Sequence, residues 1–235
     1  MLISIYRYDC RKNFDYTLQD YYINLNDLNG VMLLDALTFI KENLDETVTF
    51  RRSCGEGVCG SDAMNINGKN GLACITSLSK FKDGIIILRP LPGMPVIRDL
   101  VVDLTNFYSQ YKKVNPFLQN DESVSYGAER LQSKSERAKL DGLYECILCA
   151  CCTSACPSYW WNPDKFFGPA ACLQSARFVY DSRDNKTRER LLDLDNKFNI
   201  FRCRSIMNCT YVCPKGLNPA KSIAELKMEM LNNKI

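Results

Sequence analysis

Thirteen cysteines and no histidine stand in this chain of 235 residues, and ten of those cysteines fall into three spaced sets. Without imidazole the chain can form no Ser-His or Cys-His nucleophile pair, no His-ligated zinc site and no His-ligated haem of its own. Thiolates at fixed spacing remain, and their chemistry is metal binding. Iron–sulfur clusters are held by thiolates and need no imidazole.

The first set is Cys54-x4-Cys59-x2-Asp62-x11-Cys74. A plant-type [2Fe–2S] loop runs C-x4-C-x2-C with a distant fourth Cys. Asp62 stands where the third Cys belongs. A carboxylate is a harder ligand than a thiolate and can still hold ferric iron. Alternatively Asp62 only hydrogen-bonds nearby and a fourth ligand comes from elsewhere. The small residues of "GEGVCGS" suit a loop that wraps a cluster and points N–H groups at its sulfurs, because glycine accepts positive φ.

The second set, Cys146-x2-Cys149-x2-Cys152-x3-Cys156-Pro157, is the bacterial ferredoxin run, whose fourth Cys serves the other cluster of a two-cluster domain. The third, Cys203-x5-Cys209-x3-Cys213-Pro214, aligns with it on the Cys-Pro end, leaving Ile206 where one ligand is expected. The doubled motif therefore predicts a [4Fe–4S] cluster on Cys146, Cys149, Cys152 and Cys213. It predicts a [3Fe–4S] cluster on Cys156, Cys203 and Cys209, since a cubane missing one corner ligand readily lacks that iron. Structural zinc is the rival for these runs, but zinc explains neither the crossed pattern nor the plant-type loop. Cys10, Cys151 and Cys172 are left over; buried packing suits them, and Cys151 beside Cys152 suits an S–H or packing role.

The elements that must carry these sets are legible from patterning. The length fits two domains of roughly 100–130 residues, and 46% hydrophobic content allows real cores. A net charge of +3, without a basic run, gives no case for nucleic acid. The start shows no signal-peptide pattern. The longest apolar runs fall far short of the ~20 residues of a membrane span. Reduced thiols point to an intracellular setting. "LISIYRY", "DYYINL", "TVTFRR", "AMNING" and "GIIILRPL" read as strands, and Leu33, Leu37, Ile40 and Leu44 form one face of a helix. Past residue 103 the pattern turns helical: "VDLTNFYSQYKKV" is apolar at Leu104, Phe107, Tyr108 and Tyr111, Pro169 opens one helix, and Asn218-Pro219 caps another. The polar stretch 118–130 reads as a mobile surface connection. The expected class is α+β: a β-grasp, ferredoxin-like [2Fe–2S] domain at 1–103 and an all-helical, bacterial-ferredoxin-like domain at 104–235 with the other two clusters.

"SCGEGVCGSDAMNINGKNGLAC", "LDGLYECILCACCTSACPSYWWNPDKFFGPA" and "FRCRSIMNCTYVCPKGLNP" closely resemble the iron–sulfur subunits of bacterial succinate dehydrogenases, within the wider succinate dehydrogenase and fumarate reductase family. The resemblance spans nearly the whole chain. It implies an electron-transfer subunit: a flavoprotein partner oxidises succinate at FAD, and electrons pass through [2Fe–2S], [4Fe–4S] and [3Fe–4S] to ubiquinone at a site shared with two membrane-anchor subunits that hold haem b. It implies a peripheral position on the cytoplasmic side of the bacterial inner membrane, with no spanning segment in this chain. The 1–103 domain would face the flavoprotein and the remainder the membrane.

The resemblance also implies that Trp161 lines a quinone pocket, with Pro157, Ser158 and Ile206 beside the [3Fe–4S] cluster. Two departures stand out. Arg204 replaces the family's usual His, a position associated with haem propionates and quinone; arginine can pair a carboxylate bidentately but cannot exchange protons near neutral pH. Gly55 replaces a basic residue. Fumarate reductase is the alternative, against which stand Asp62, where those enzymes typically have Cys, and the "SYWWNP" form. A free ferredoxin-type carrier is the more distant one.

Overall fold

The computed structural model describes residues 1–9, 15–81, 84–124 and 127–233; Cys10 lies outside them. Among the described residues the strands are β1 (Leu2–Arg7), β2 (Thr17–Tyr22), β3 (Ala63–Ile66), β4 (Lys69–Leu72), β5 (Ile85–Arg89), β6 (Val96–Arg98) and β7 (Val101–Val102). The α-helices are α1 (Leu33–Phe39), α2 (Thr105–Lys113), α3 (Lys134–Ala138), α4 (Cys151–Ser154), α5 (Pro157–Trp161), α6 (Pro169–Val179), α7 (Thr187–Leu194), α8 (Asn208–Tyr211) and α9 (Pro219–Asn232). No helix among the described residues is long and apolar enough to cross a membrane. The chain divides into two compact units. Unit one is Met1–Leu104, Ile147–Ala155 and Val212–Pro214; unit two is Thr105–Cys146, Cys156–Tyr211 and Lys215–Ile235.

In unit one a mixed five-stranded sheet of order β2-β1-β5-β3-β4 is parallel only between β1 and β5. Ile3 and Ile5 of β1, and Ile86 and Leu88 of β5, alternate along their strands and are buried together with Leu33, Ala36, Leu37 and Ile40 of the helical segment. This is the expected β-grasp arrangement, with α1 packed on the sheet. Leu44 departs from the predicted stripe and is 50% exposed. The turn over Ile40–Leu44 is π-helical, closed by Asp45 N donating to Ile40 O at 2.8 Å, which carries residue 44 off the i, i+4 face.

Two strand expectations need correction. Residues 47–52 read as a strand but join no sheet, because local bonds absorb their backbone groups. Thr47 N donates to Asp45 Oδ1 at 2.9 Å, Thr49 N to Asp99 Oδ2 at 2.8 Å, and Val48 O accepts from Lys41 Nζ at 2.8 Å. "AMNING" is not one strand but β3 plus its turn: Asn67 and Gly68, at φ 47° and 85°, form the two-residue connection that pairs Ile66 with Lys69 in β4. The "DYYINL" strand begins earlier, at Thr17.

Unit two is helical. Every residue of α6 except Arg177 is buried, and α6 packs against α2, α7 and α9. Pro169 stands at its first turn, and Asn218 caps α9 by accepting from Lys221 N at 2.9 Å. A buried ion pair ties off the connections: Arg190 and Asp184 meet at 2.7 Å with side chains 3% and 0% exposed. Arg190 also donates to the carbonyls of Val114, Asn115 and Phe117, and Asp184 accepts from Gln119 N and Lys186 N. Replacing Arg190 with Ala leaves Asp184 buried without its cation. We expect a loss of about 3–5 kcal/mol, the scale for breaking such a pair from one side, read as a lowered unfolding temperature of the purified protein.

Candidate metal-cluster centres

The first centre lies in unit one, on the loop before β3 and the turn after β4. Three backbone N–H groups, from Glu56, Val58 and Cys59, reach Cys54 Sγ at 3.5, 3.4 and 3.3 Å. Cys54 N and Ser61 N reach Cys59 Sγ at 3.5 and 3.4 Å. Gly55, Gly57 and Gly60, all near φ +70°, turn the chain so that these donors converge. The Ser61 hydroxyl and these N–H groups pull the thiol of exposed Cys59 down to about 6, outweighing its slight desolvation. Opposite stand Cys74 and Asp62, both buried. Cys74 N donates to Asp62 Oδ2, and burial together with the Asp62 carboxylate pushes the Cys74 thiol up to about 12. Asp62 thus shares its buried corner with Cys74.

The two later runs repeat in backbone as well as in cysteine spacing. Leu148 and Ala150 have φ 54° and 64°; Ser205 and Met207, each 57 positions later, have φ 55° and 71°. These are non-glycine residues in a region that L side chains seldom adopt. The short helix α4 over Cys151–Ser154 recurs at the same offset as α8 over Asn208–Tyr211. In this register Ile206 occupies the place of Cys149. Cys152 and Cys209 sit at equivalent, buried positions in the two short helices.

The unit division separates Cys146 from the three cysteines the doubled motif groups with it. Cys149, Cys152 and Cys213 belong to unit one; Cys156, Cys203 and Cys209 belong to unit two, as does Cys146. In unit two burial raises the thiols of Cys156 and Cys209, and the charge of Cys203 raises both further. These three cysteines line one pocket with Pro157, Ser158, Arg204, Ile206 and Phe166. Trp161, at the end of α5, does not line it and is 82% exposed. Ser158 donates its hydroxyl to Arg202 O at 2.9 Å.

The leftover cysteines are buried where described. Cys172, inside α6, is fully buried and its thiol is pushed up by that burial. Cys151 is also fully buried; its bond with Cys149 pulls the Cys149 thiol down and pushes its own well up. Sequence reading missed Lys227, whose Nζ donates to Cys203 O at 3.1 Å. Its signal was present: it lies four residues after Ile223 and three before Met230, a lone cation on the buried stripe of α9.

The donor sets suit clusters. Among the described residues no three His, Cys, Asp or Glu side chains converge on a single-ion site. Sulfurs wrapped by N–H groups are the environment that sets cluster potentials.

Residues 2–109 match the family described as 2Fe-2S iron-sulfur cluster binding domain, and residues 145–218 match the 4Fe-4S dicluster domain. The succinate dehydrogenase iron-sulfur subunit of Coxiella burnetii is 56% identical over 98% of this chain and 97% of its own length. A chain of the Mycobacterium smegmatis Sdh1 complex in the apo form superposes with a TM-score of 0.88 at 25% identity, covering 99% of this chain and 96% of that one. A hypothetical protein from Helicobacter pylori shares the fold, with a TM-score of 0.59 at 16% identity, over 100% of this chain and 40% of its own.

Ile206 holds the backbone place of Cys149; if the doubled motif places a three-iron cluster there, we expect Ile206→Cys to bind a fourth iron at that centre, with the [3Fe–4S] EPR signal of the oxidised protein lost. An unchanged signal and iron content would break the equivalence of the two runs.

Proposed function

Since the chain belongs to the succinate dehydrogenase iron–sulfur subunit family, we propose that it relays electrons from the FAD of a flavoprotein subunit to ubiquinone. The carriers are a [2Fe–2S], a [4Fe–4S] and a [3Fe–4S] cluster, divided between residues 1–103 and 104–235. When bound, the clusters supply one-electron redox capacity, and this chain's part is to hold and tune them. The observation that carries the reading is the left-handed backbone at Leu148 and Ala150, repeated 57 positions later at Ser205 and Met207, within the two cysteine runs.

Cys54, Cys59 and Cys74 hold the first cluster, with Asp62 as the remaining ligand. Support for Asp62 is its burial beside Cys74. Cys146, Cys149, Cys152 and Cys213 hold the second. Cys156, Cys203 and Cys209 hold the third, and Ile206 closes its open corner with an apolar wall toward the quinone. In this reading Pro157, Ser158 and Arg204 shape the quinone side of that wall, and Trp161 offers an indole N–H to a quinone oxygen. Exposure of Trp161 supports this, because an exposed indole is free for a ligand or for an anchor subunit. Arg204 pairs a carboxylate of the haem or of an anchor and takes no part in proton exchange. The succinate chemistry lies on the flavoprotein, two anchors with haem b complete the complex, and the subunit sits peripherally on the cytoplasmic face of the membrane.

The test is EPR on the complex purified with its partners. We expect a [3Fe–4S] signal in the oxidised state and two further cluster signals on stepwise reduction. A colourless, zinc-loaded chain purified without oxygen, or a free monomer in cells, would overturn the proposal. Turnover favouring fumarate reduction would reassign it to the fumarate reductase branch.

A further inference from the structure

Within unit one, the loop carrying Cys59 touches the run carrying Cys149. A Cβ placed on Gly60 would lie 2.7 Å from Cys149 Cβ, 2.9 Å from its Cα and 3.3 Å from its N. Those neighbours are a β-carbon and main-chain atoms rather than the end of a flexible side chain, so they cannot swing away. Gly60 also has φ +70°. Beside this contact a buried amide fixes the same segment. Asn70 of β4, 3% exposed, donates to Cys151 O at 3.0 Å and to Ser154 Oγ at 2.8 Å, while its own oxygen accepts from Asn65 at 2.8 Å. Every polar atom of the Asn70 side chain is thereby engaged, and α4 is clipped to the hairpin.

We infer that Gly60 and Asn70 are positioning residues for electron transfer between the first two clusters. The inference rests on the ligand assignment proposed above. Cys59 and Gly60 are consecutive, and Gly60 abuts Cys149, so a ligand of one cluster is joined to a ligand of the next by one peptide unit and one van der Waals contact. With both clusters bound, one electron would leave the reduced [2Fe–2S] cluster held by Cys54, Cys59, Asp62 and Cys74 and enter the [4Fe–4S] cluster held by Cys146, Cys149, Cys152 and Cys213; no bond would be made or broken and no proton would move at Gly60. Tunnelling falls steeply with separation, and a methyl group at position 60 must push the two segments apart. Asn70 acts at one remove, by holding α4 and the turn before it against β4.

The experiment uses the assembled, cluster-loaded complex with Gly60→Ala, Asn70→Ala and a control, Gly84→Ala. Gly84 shares the positive φ (+68°) but a Cβ there meets nothing within 4 Å, so it carries the conformational cost without the clash. The readout is the magnetic coupling between the reduced [2Fe–2S] and [4Fe–4S] clusters, alongside iron content and succinate–quinone turnover. We expect both clusters to be present in all variants. Coupling should weaken and kcat fall several-fold with unchanged KM for Gly60→Ala, less so for Asn70→Ala, and neither should change for Gly84→Ala. Wild-type coupling in Gly60→Ala, or an equal loss in Gly84→Ala, would overturn the inference. If Gly60→Ala does not assemble, Asn70→Ala decides: wild-type coupling there overturns it. Absence of either cluster signal from the wild-type complex would instead strike the proposed function.

Discussion

The structure depends on backbone held in the left-handed region around its thiols. A sulfur that must stay anionic or bound needs several N–H donors aimed at it from a short loop, and only positive φ turns the chain tightly enough to aim them. The plant-type loop meets this demand with glycine, at Gly55, Gly57 and Gly60. The two bacterial-type runs turn in the same region at Leu148, Ala150, Ser205 and Met207, which lack glycine's freedom. Each such residue costs roughly 1–3 kcal/mol and persists only where the surroundings over-determine it.

Those surroundings are visible. Ala150, Cys151, Cys152, Thr153 and Ser154 are all buried, so the first strained turn runs straight into a packed helix clipped by Asn70. The second is followed by α8, with Cys209 buried, and by α9, whose Lys227 is bonded to the Cys203 carbonyl. Buried charges serve the same end farther out. Asp99, itself at φ 45° and 2% exposed, accepts from Tyr8 N, Thr49 N and Arg7 Nε. Arg190 gathers three carbonyls and Asp184 in unit two. Each satisfied charge fixes several loop segments at once, and removing one partner leaves the other unpaired in low dielectric.

The arrangement also accounts for the crowding in "CILCACCTSACP". The five cysteines of that stretch divide between the units: Cys149 and Cys152 fall with Cys213 in unit one, Cys146 and Cys156 fall with Cys203 and Cys209 in unit two, and Cys151 is buried beside Cys149 as a hydrogen-bonding neighbour. The Pro after Cys156 opens α5 and turns the chain out of the run.

Cysteine spacing alone marked the candidate ligands, the crossing we propose for the two runs and the place of Ile206, because a cluster imposes its geometry on the intervals between thiols. Helix starts at Pro169 and Asn218-Pro219, and the apolar alternation of β1 and β5, were equally legible, being set by local sterics and capping. What followed from contacts far apart in sequence was not. No pattern in residues 47–52 announces that Asp99, Asp45 and Lys41 take up their backbone groups and leave no strand. Leu44 leaves its stripe only because the helix widens by one residue. Lys227 reads as an ordinary helix cation until α9 turns it to the Cys203 carbonyl. Gly60 reads as loop flexibility until Cys149 is found against it. Tertiary structure decided these because each depends on which atoms arrive within a few ångströms, and spacing along the chain does not encode that.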